Sequence, residues 1–270
     1  MTKLEVRGLG KEYRLRHGWR AGTLRAVDDV SFALDHGKTI ALVGQSGSGK
    51  STVAKLLLQL ERPTTGEILL DGQPVARRGS GLAAYRRTVQ MVFQDPFASL
   101  NPYHTIGHHL ARPIRLHHPG MSDADVRTRV LELLERVRLT PAGTVAKRRP
   151  HELSGGQRQR VAIARALAPE PGVLIADEPV SMLDVSIRLG VLNLLATLQR
   201  EEDLGVLYIT HDLATARHFS DEILVMYQGR IVERGPADDV ILNPRHEYTR
   251  TLADAAPNPE RRIGQLRQAG

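Results

Sequence analysis

The chain has 270 residues, carries a net charge of +7 at pH 7 and contains no cysteine, which excludes disulfide bonds and thiolate metal sites. No segment approaches the roughly 18–20 apolar residues that a membrane-spanning helix needs, and the first residues show no signal-peptide pattern, so we expect a protein that is soluble or held at a membrane by partners. The basic residues are scattered and aromatic residues make up 4% of the chain, so the charge does not indicate a specific nucleic-acid surface.

The first two predicted strands lie at residues 4–9, which alternate between apolar and polar side chains, and at residues 30–34. Tyr13 follows the first of them. The segment between them, residues 16–25, is polar and contains glycine and several arginines. This composition predicts a loop.

A glycine-rich segment follows the apolar run at residues 39–43 and precedes a helical pattern over residues 52–60. Its spacing is G-x-x-x-x-G-K-S, and a strand, a glycine loop and a helix in this order are typical of a phosphate-binding loop. The predicted nucleotide-binding residues here are Gly44, Gln45, Ser46, Gly47, Ser48, Gly49, Lys50, Ser51 and Thr52. The alternative, a glycine- and serine-rich turn that binds nothing, does not account for this context. The sequence therefore predicts a nucleotide-binding protein.

The next part of the chain changes from strands to helices. A β-hairpin is predicted over residues 67–75 with Asp71-Gly72 at its tip. Residues 77–81 are predicted as a loop, residues 82–87 as a short helix and residues 89–93 as a buried strand that ends at Gln94. From residue 98 to about residue 149 the pattern is helical, and an apolar stripe between residues 126 and 137 indicates ordinary core packing.

Five histidines cluster in this helical part, at positions 104, 108, 109, 117 and 118. Some pairs of them have a spacing that suits a metal ion. No pair four residues apart has a carboxylate nearby, so we expect solvated surface rather than a metal site.

A second glycine motif, Leu153-Ser154-Gly155-Gly156-Gln157, opens a helix that is predicted to run through residue 167. Ser154 and Gln157 fit a capping box, which is the purely structural interpretation. A cap does not call for two consecutive glycines. We therefore favour a second anion site here, formed by the serine hydroxyl, the accessible backbone of the two glycines and the N-terminus of the helix.

The last third of the chain contains two buried strands, each followed by polar residues. Residues 173–176 precede Asp177 and Glu178, and residues 206–210 precede His211. Ligands bind at the carboxyl ends of parallel strands, so these side chains are candidates for the site. A long helix after Asp184 separates the two strands. A hairpin over residues 223–233, helices near residues 237–242 and 247–255, and a frayed end from residue 257 are also predicted.

Five motifs occur here in the order found in ATP-binding cassette (ABC) ATPases, and the chain resembles that family over about residues 3–255. They are the phosphate loop, the Q-loop residue Gln94, the LSGGQ motif, the pair Asp177-Glu178, and His211. The resemblance implies an α/β fold with a phosphate-loop (RecA-like) core, an antiparallel β subdomain and an inserted α-helical subdomain at about residues 96–165. It also implies a single ABC ATPase domain over residues 1–256 and a short flexible tail over residues 257–270.

Three further segments, residues 95–102, 176–187 and 243–249, are similar to the oligopeptide/dipeptide/nickel group of importer ATPases. Met182 and Glu247 depart from that group, which usually has Ala and Pro at these positions. The resemblance implies an ATP-hydrolysing subunit that lies peripherally on the cytoplasmic face of the cell membrane. Its hydrolysis would be coupled to the uptake of peptides or a related solute, such as a nickel chelate or an oligosaccharide.

The resemblance implies ATP and Mg²⁺ as cofactors and a role for each motif residue. Tyr13 would stack on adenine. Gly47, Gly49 and Lys50 would hold the phosphates. Ser51 would bind Mg²⁺, which Asp177 would support through water and Gln94 would approach. Glu178 would polarise or deprotonate the attacking water, and His211 would contact the γ-phosphate.

The implied partners are a second ABC ATPase subunit, identical or different, two transmembrane permease subunits and, indirectly, an extracytoplasmic solute-binding protein. No specific nucleic acid is implied. Each ATP would lie between the phosphate loop of one subunit and a second set of residues of the other. That set consists of Ser154, Gly155, Gly156, Gln157 and Asp184.

Other interpretations stay open at this point. Tyr13 fits a surface tyrosine at a strand end, and Glu178 fits a plain acid at a strand end. A soluble ABC ATPase that acts on nucleic acid or ribosomes would account for the positive charge, although such proteins usually have two cassettes or a long coiled-coil insert. A regulatory cassette that hydrolyses poorly is a third possibility, which the presence of both Glu178 and His211 disfavours.

Overall fold

A computed structural model describes residues 2–17 and 20–255. The strands are β1 (Lys3–His17), β2 (Arg20–Asp35), β3 (Thr39–Val43), β4 (Thr65–Leu70), β5 (Gln73–Pro74), β6 (Val89–Val92), β7 (Val173–Asp177), β8 (Gly205–Thr210), β9 (Glu222–Tyr227) and β10 (Arg230–Pro236). The helices are α1 (Lys50–Leu57), α2 (Gly79–Thr88), α3 (Pro96–Ser99), α4 (Ile106–His117), α5 (Asp123–Arg136), α6 (Ala142–Lys147), α7 (Gly155–Leu167), α8 (Val185–Glu201), α9 (Leu213–Phe219), α10 (Ala237–Leu242) and α11 (Glu247–Ala255).

The larger sheet has the strand order β10-β9-β3-β8-β7-β6, in which all neighbours except β10 and β9 run parallel. Successive residues of its central strands enter two different apolar cores. In β8, for example, Val206 and Tyr208 belong to one core and Leu207 and Ile209 to the other. A sheet covered on both faces needs apolar residues at every position, which explains the continuous apolar runs in the sequence.

The smaller sheet is antiparallel, with the order β2-β1-β4-β5, and its apolar face packs with α1 against one side of the larger sheet. The hairpin predicted at Asp71-Gly72 is confirmed, and Asp71 lies in the left-handed region with a φ of 52°. This sheet and the parallel sheet together confirm the predicted α/β class.

The loop predicted over residues 16–25 is wrong. β1 and β2 continue into this segment as a two-stranded ribbon, in which Glu12 pairs with Arg25, Tyr13 with Leu24 and Arg14 with Thr23. The alternation of apolar and polar residues was missing because the ribbon extends beyond the core. Residues 22–25 are exposed, so no buried face imposes alternation on them, and the strands there are defined by backbone pairing.

Along the chain, helices α3 to α7 connect β6 to β7, which are neighbouring strands at one edge of the larger sheet. The apolar stripe predicted in α5 is buried, and Ser122 caps that helix by accepting a hydrogen bond from the backbone N–H of Asp125. α2 begins at Gly79, inside the predicted loop, and α1 ends at Leu57, three residues before the predicted end. The tail predicted over residues 257–270 lies outside the described residues.

Candidate nucleotide site

The carboxyl ends of β3, β6, β7 and β8 meet at one edge of the larger sheet, where a cleft of about 990 Å³ opens. The glycine loop follows β3, Gln94 follows β6, Asp177 ends β7 and His211 follows β8. The structure brings the following predicted residues together along this cleft: Tyr13, Gln45, Ser46, Gly47, Gly49, Lys50, Ser51, Thr52, Gln94, Asp177, Glu178 and His211.

The glycine loop is wedged between strands that leave no room for side chains at its two ends. A Cβ atom at Gly44 would lie 2.3 Å from the carbonyl oxygen of Met226, and one at Gly49 would lie 2.3 Å from that of Ala26. Gly49 also has a φ of 112°, which disfavours any other residue. Packing therefore requires glycine at positions 44 and 49.

The Lys50 side chain lies inside the loop, where its ammonium donates to the carbonyl oxygens of Gly44 at 2.6 Å and of Gln45 at 2.9 Å. Lys50 is 6% exposed. Burial lowers its pKa, and the nearby charges of Glu178 and Asp177 act in the opposite direction. The site thus holds a desolvated cation that two carboxylates face, as a phosphate-binding centre requires.

Glu178 lies between two polar side chains from neighbouring strands. One carboxylate oxygen accepts a hydrogen bond from Gln94 Nε2 at 3.0 Å, and the other lies 3.0 Å from His211 Nδ1. Its backbone has a φ of 44°, in the left-handed region that non-glycine residues rarely adopt. Its N–H donates to the carbonyl oxygen of Ile209, which holds this strained residue at the end of the sheet. Such strain is common at functional sites because the surrounding structure supports it.

Asp177 and Ser51 both line the cleft with oxygen-bearing side chains, Asp177 at the end of β7 and Ser51 at the start of α1. Burial raises the pKa of Asp177, the charge of Glu178 raises it further and Lys50 lowers it. A carboxylate that is partly desolvated beside another carboxylate is stabilised by a cation. Because hydroxyl and carboxylate oxygens are the ligands that Mg²⁺ prefers, these residues fit a magnesium ion.

Tyr13 is held at the entrance of the cleft, on the ribbon of β1 and β2. Its hydroxyl donates to the carboxylate of Glu61 at 2.6 Å, and the ammonium of Lys11 lies 5.0 Å from the ring centroid. Its pairing partner in the ribbon, Leu24, also lines the cleft. The side chain is therefore held by Glu61 and Lys11, and Tyr13 and Leu24 give this part of the cleft lining an aromatic and an aliphatic side chain.

Two groups of predicted site residues are not part of the cleft. Gly44 and Ser48 are buried within the loop itself. Among the residues that the structure describes, the lining also excludes Ser154, Gly155, Gly156, Gln157 and Asp184. One chain by itself therefore does not bring the LSGGQ motif to the phosphate loop.

The start of α7 has the predicted capping box, since the Ser154 hydroxyl accepts from Gln157 N–H and the Gln157 side chain accepts from Ser154 N–H. A Cβ atom at Gly156 would lie 2.5 Å from a methyl group of Ile187. Close packing of α7 on α8 thus explains one of the two glycines. Gly155 has only ordinary contacts around it, so packing does not explain the second glycine.

Sequence reasoning missed several residues that line the cleft: Leu24, Ala26, Arg188 and Leu252. Arg188 donates to the carbonyl oxygens of Leu183 at 2.8 Å and Ser181 at 3.4 Å, and so fixes the turn that follows Glu178. One indication that Arg188 is near the site was visible in the sequence: it lies four residues after Asp184, on the first turn of α8.

Three of the clustered histidines, His104, His108 and His109, contact one another through their rings. Within the described ranges, no group of three or more histidine, aspartate or glutamate side chains is arranged to hold a metal ion. The rings of His104 and His108 stack with centroids 4.1 Å apart, and His109 Nε2 lies 3.0 Å from the carbonyl oxygen of Asn101. Burial lowers the pKa of His109.

Two family models match the chain. A model described as ABC transporter covers residues 27–181, and a model described as oligopeptide/dipeptide transporter, C-terminal region, covers residues 232–270. The first spans more than half of the chain and includes the glycine loop, Gln94, the LSGGQ motif and the pair Asp177-Glu178.

Similar curated proteins include the oligopeptide transport ATP-binding protein OppF of Escherichia coli, which is 46% identical over 263 residues, or 95% of this chain and 78% of OppF. The glutathione import ATP-binding protein GsiA of Salmonella typhimurium is 49% identical over 258 residues. That match covers 94% of this chain but only 41% of GsiA, so the chain spans about two fifths of that protein's length.

Similar solved structures include the dimeric ATP-binding cassette MJ0796 in a post-hydrolysis state with ADP and Pi, at a TM-score of 0.75 and 32% identity. The match covers 87% of this chain and 98% of the other. CbiO1 of Clostridium perfringens, part of the ABC transporter complex cbiONQ, gives a TM-score of 0.79 at 28% identity and covers 98% of both chains.

Proposed function

Because the chain belongs to the ABC transporter family as an ATP-binding and ATP-hydrolysing subunit, we propose that it powers the import of peptides or a related solute across a membrane. The family model for the oligopeptide/dipeptide C-terminal region and the identity to OppF support this substrate class. The single observation that carries the catalytic part is the arrangement of Glu178 between Gln94 and His211, beside the buried Lys50.

In the proposed reaction, the loop N–H groups and Lys50 bind the phosphates, and Tyr13 stacks on adenine. Glu178 orients and deprotonates a water molecule for attack on the γ-phosphate, while His211 holds both the carboxylate and the phosphate in place. Phosphoryl transfer requires mostly positioning and neutralisation of charge, which fixed side chains at the ends of sheet strands supply well.

Two cassettes complete the site in this proposal. The start of α7 is exposed at Ser154 and does not line the cleft, and Asp184 is exposed as well. In a head-to-tail dimer, Ser154, Gly155, Gly156 and Gln157 of one subunit would face the phosphate loop of the other, with Asp184 beside them. The backbone N–H groups at a helix start suit the γ-phosphate. MJ0796 is dimeric, which supports a dimer here as well. We favour a partner cassette that differs from this chain.

We also propose that Ser51, Asp177 and Gln94, which line the cleft, would hold Mg²⁺. The ion would neutralise phosphate charge when bound. Replacing Ser51 with alanine removes a hydroxyl ligand, so the Mg²⁺ concentration needed for half-maximal ATP hydrolysis is expected to rise about tenfold or more. Titration of the ATPase rate with Mg²⁺ measures this. Ser51→Thr keeps the hydroxyl and should behave like the wild type; equal magnesium dependence in all three proteins would contradict the assignment.

The proposed organisation is one ABC ATPase domain over residues 1–256, with its helical part at about residues 96–165, on the cytoplasmic face of the membrane. Within the described part of the chain, no helix is long and apolar enough to cross a bilayer. Membrane attachment would come from two permease subunits, which in turn meet a solute-binding protein. Gln94 and α3, which directly follows it, would transmit the closing of the ATP site to the permeases.

Mild detergent extraction of the tagged protein from its native membranes, followed by mass spectrometry of the bound proteins, tests the importer assignment. Two permeases, with or without a second cassette, are expected. Recovery of ribosomal proteins or nucleic acid without a membrane partner would contradict it, and the net charge of +7 would then mark a functional surface.

A further inference from the structure

The C-terminal helix α11 contacts the phosphate loop directly. The backbone N–H of Gln45 donates to the hydroxyl oxygen of Tyr248 at 2.9 Å, although the two residues are 203 positions apart. Gln45 is the second residue of the loop. Its carbonyl oxygen accepts from the Lys50 ammonium, so a single residue connects Tyr248 to the lysine that binds phosphate.

The Tyr248 ring is held rigidly. It is 9% exposed and packs on the ring of Tyr227, with centroids 4.2 Å apart and an angle of 32° between the planes. Tyr227 ends β9, which pairs with β3 in parallel, and the loop starts at the end of β3. Tyr248 therefore packs at the end of β9, beside the end of β3 where the loop starts, and its hydroxyl reaches Gln45 there.

A carboxylate of β10 fixes the chain before α11. The two oxygens of Glu233 accept from the backbone N–H groups of Arg245 at 2.8 Å and His246 at 3.0 Å. Burial would raise the pKa of Glu233, but the hydrogen bonds from these two backbone N–H groups hold it below its ordinary value, so it remains a charged acceptor. Tyr248 N–H in turn donates to His246 Nδ1 at 3.1 Å.

These contacts form a continuous connection from β10 through residues 245–248 to the phosphate loop. We propose that Tyr248 is a positioning residue that fixes the Gln45 peptide group, so that the segment before and within α11 sets the affinity of the loop for ATP. This inference rests on the proposed role of the loop in binding phosphate. Residues 245–248 would then influence nucleotide binding, although they lie more than 30 positions after His211, the last residue predicted to contact ATP.

Tyr248→Phe removes only the hydroxyl and keeps the ring on Tyr227. We expect the Kd for a fluorescent ATP analogue with Mg²⁺ to rise at least twofold and up to about tenfold, the range that corresponds to one hydrogen bond. Tyr227→Phe is the matched control, because it removes the hydroxyl of the other ring, which accepts from the Gln228 side chain and not from the loop. A change of less than twofold in Tyr248→Phe, or an equal loss in Tyr227→Phe, would overturn the inference.

Hydrogen–deuterium exchange without nucleotide gives a second readout that general destabilisation does not mimic. The peptide that contains Gln45 should exchange several-fold faster in Tyr248→Phe, while peptides of the central strand β8 stay unchanged. Unchanged exchange at Gln45 would overturn the inference even if affinity falls. Lys50→Ala separates the two proposals: if its affinity for ATP is normal, the role of the loop fails, whereas a loss in Lys50→Ala without one in Tyr248→Phe refutes only the positioning role.

Discussion

Replacing Glu178 with glutamine is expected to reduce the rate of ATP hydrolysis about 100-fold or more and to leave ATP binding intact. The amide has nearly the same size as the carboxylate and keeps one oxygen for a hydrogen bond to Gln94 or His211. It has no charge and accepts no proton at neutral pH, so an attacking water molecule is no longer activated. Phosphate release gives the rate, and equilibrium titration with ATP gives the affinity.

The matched control for this prediction is Glu201→Gln, an exposed carboxylate at the end of α8 that lies outside the cleft. Its hydrolysis rate should equal that of the wild type. Normal turnover in Glu178→Gln would contradict the role of this carboxylate and leave its strained backbone and its two polar neighbours without a catalytic explanation. A loss of ATP binding in the same variant would instead indicate a role in building the loop.

The position of Asp177, Glu178 and His211 in the cleft could be predicted from the sequence because these residues end or directly follow buried strands. Residues 173–176 and 206–210 are continuous apolar runs, and parallel strands place their carboxyl ends together. The polar residues after them therefore had to meet. The glycine motif was equally informative, since the spacing of Gly44 and Gly49 reflects a close approach between the loop and the neighbouring strands.

Other features depend on contacts between distant parts of the chain. Gly156 packs against Ile187, a contact that no local pattern encodes, so the sequence suggested an anion site where packing accounts for part of the motif. The ribbon of β1 and β2 lacks alternation because it has no core to face. Tyr248 was visible in the sequence only as part of a segment similar to importer ATPases, and its hydrogen bond to Gln45 required the folded structure.

The separation of the LSGGQ motif from the cleft has an energetic consequence. A site that is complete only when two subunits meet couples their association to the presence of the γ-phosphate. In the proposed dimer, ATP would favour the closed arrangement by as much as its differential affinity for the closed and open arrangements, and hydrolysis would remove that preference. On this proposal, the single chain would bind nucleotide without hydrolysing it rapidly, and transport would be driven by the closing and opening of two such cassettes.

Replacing Lys50 with alanine is expected to weaken ATP binding itself by about 10- to 100-fold, because charge-assisted hydrogen bonds to the phosphates are lost. Burial holds the pKa of Lys50 below its ordinary value of 10.5, so the charged side chain lowers the free energy of unfolding of the nucleotide-free protein at neutral pH. This destabilisation decreases only as the pH rises from the folded-state pKa toward 10.5. Removing the charge relieves that destabilisation and offsets the lost hydrogen bonds to Gly44 and Gln45. The unfolding temperature without nucleotide should therefore stay close to that of the wild type.

The exposed Lys55, on the same helix, provides the matched control, since Lys55→Ala removes the same charge from the protein without touching the cleft. Comparing both variants separates a local contact with phosphate from a general attraction of ATP to a basic protein. Equal, small losses in the two variants would mean that the net charge of +7 binds the nucleotide through its field, and the loop would lose its assigned role. A large loss confined to Lys50→Ala would place the binding energy in the buried ammonium, where desolvation makes each contact with a phosphate oxygen strong.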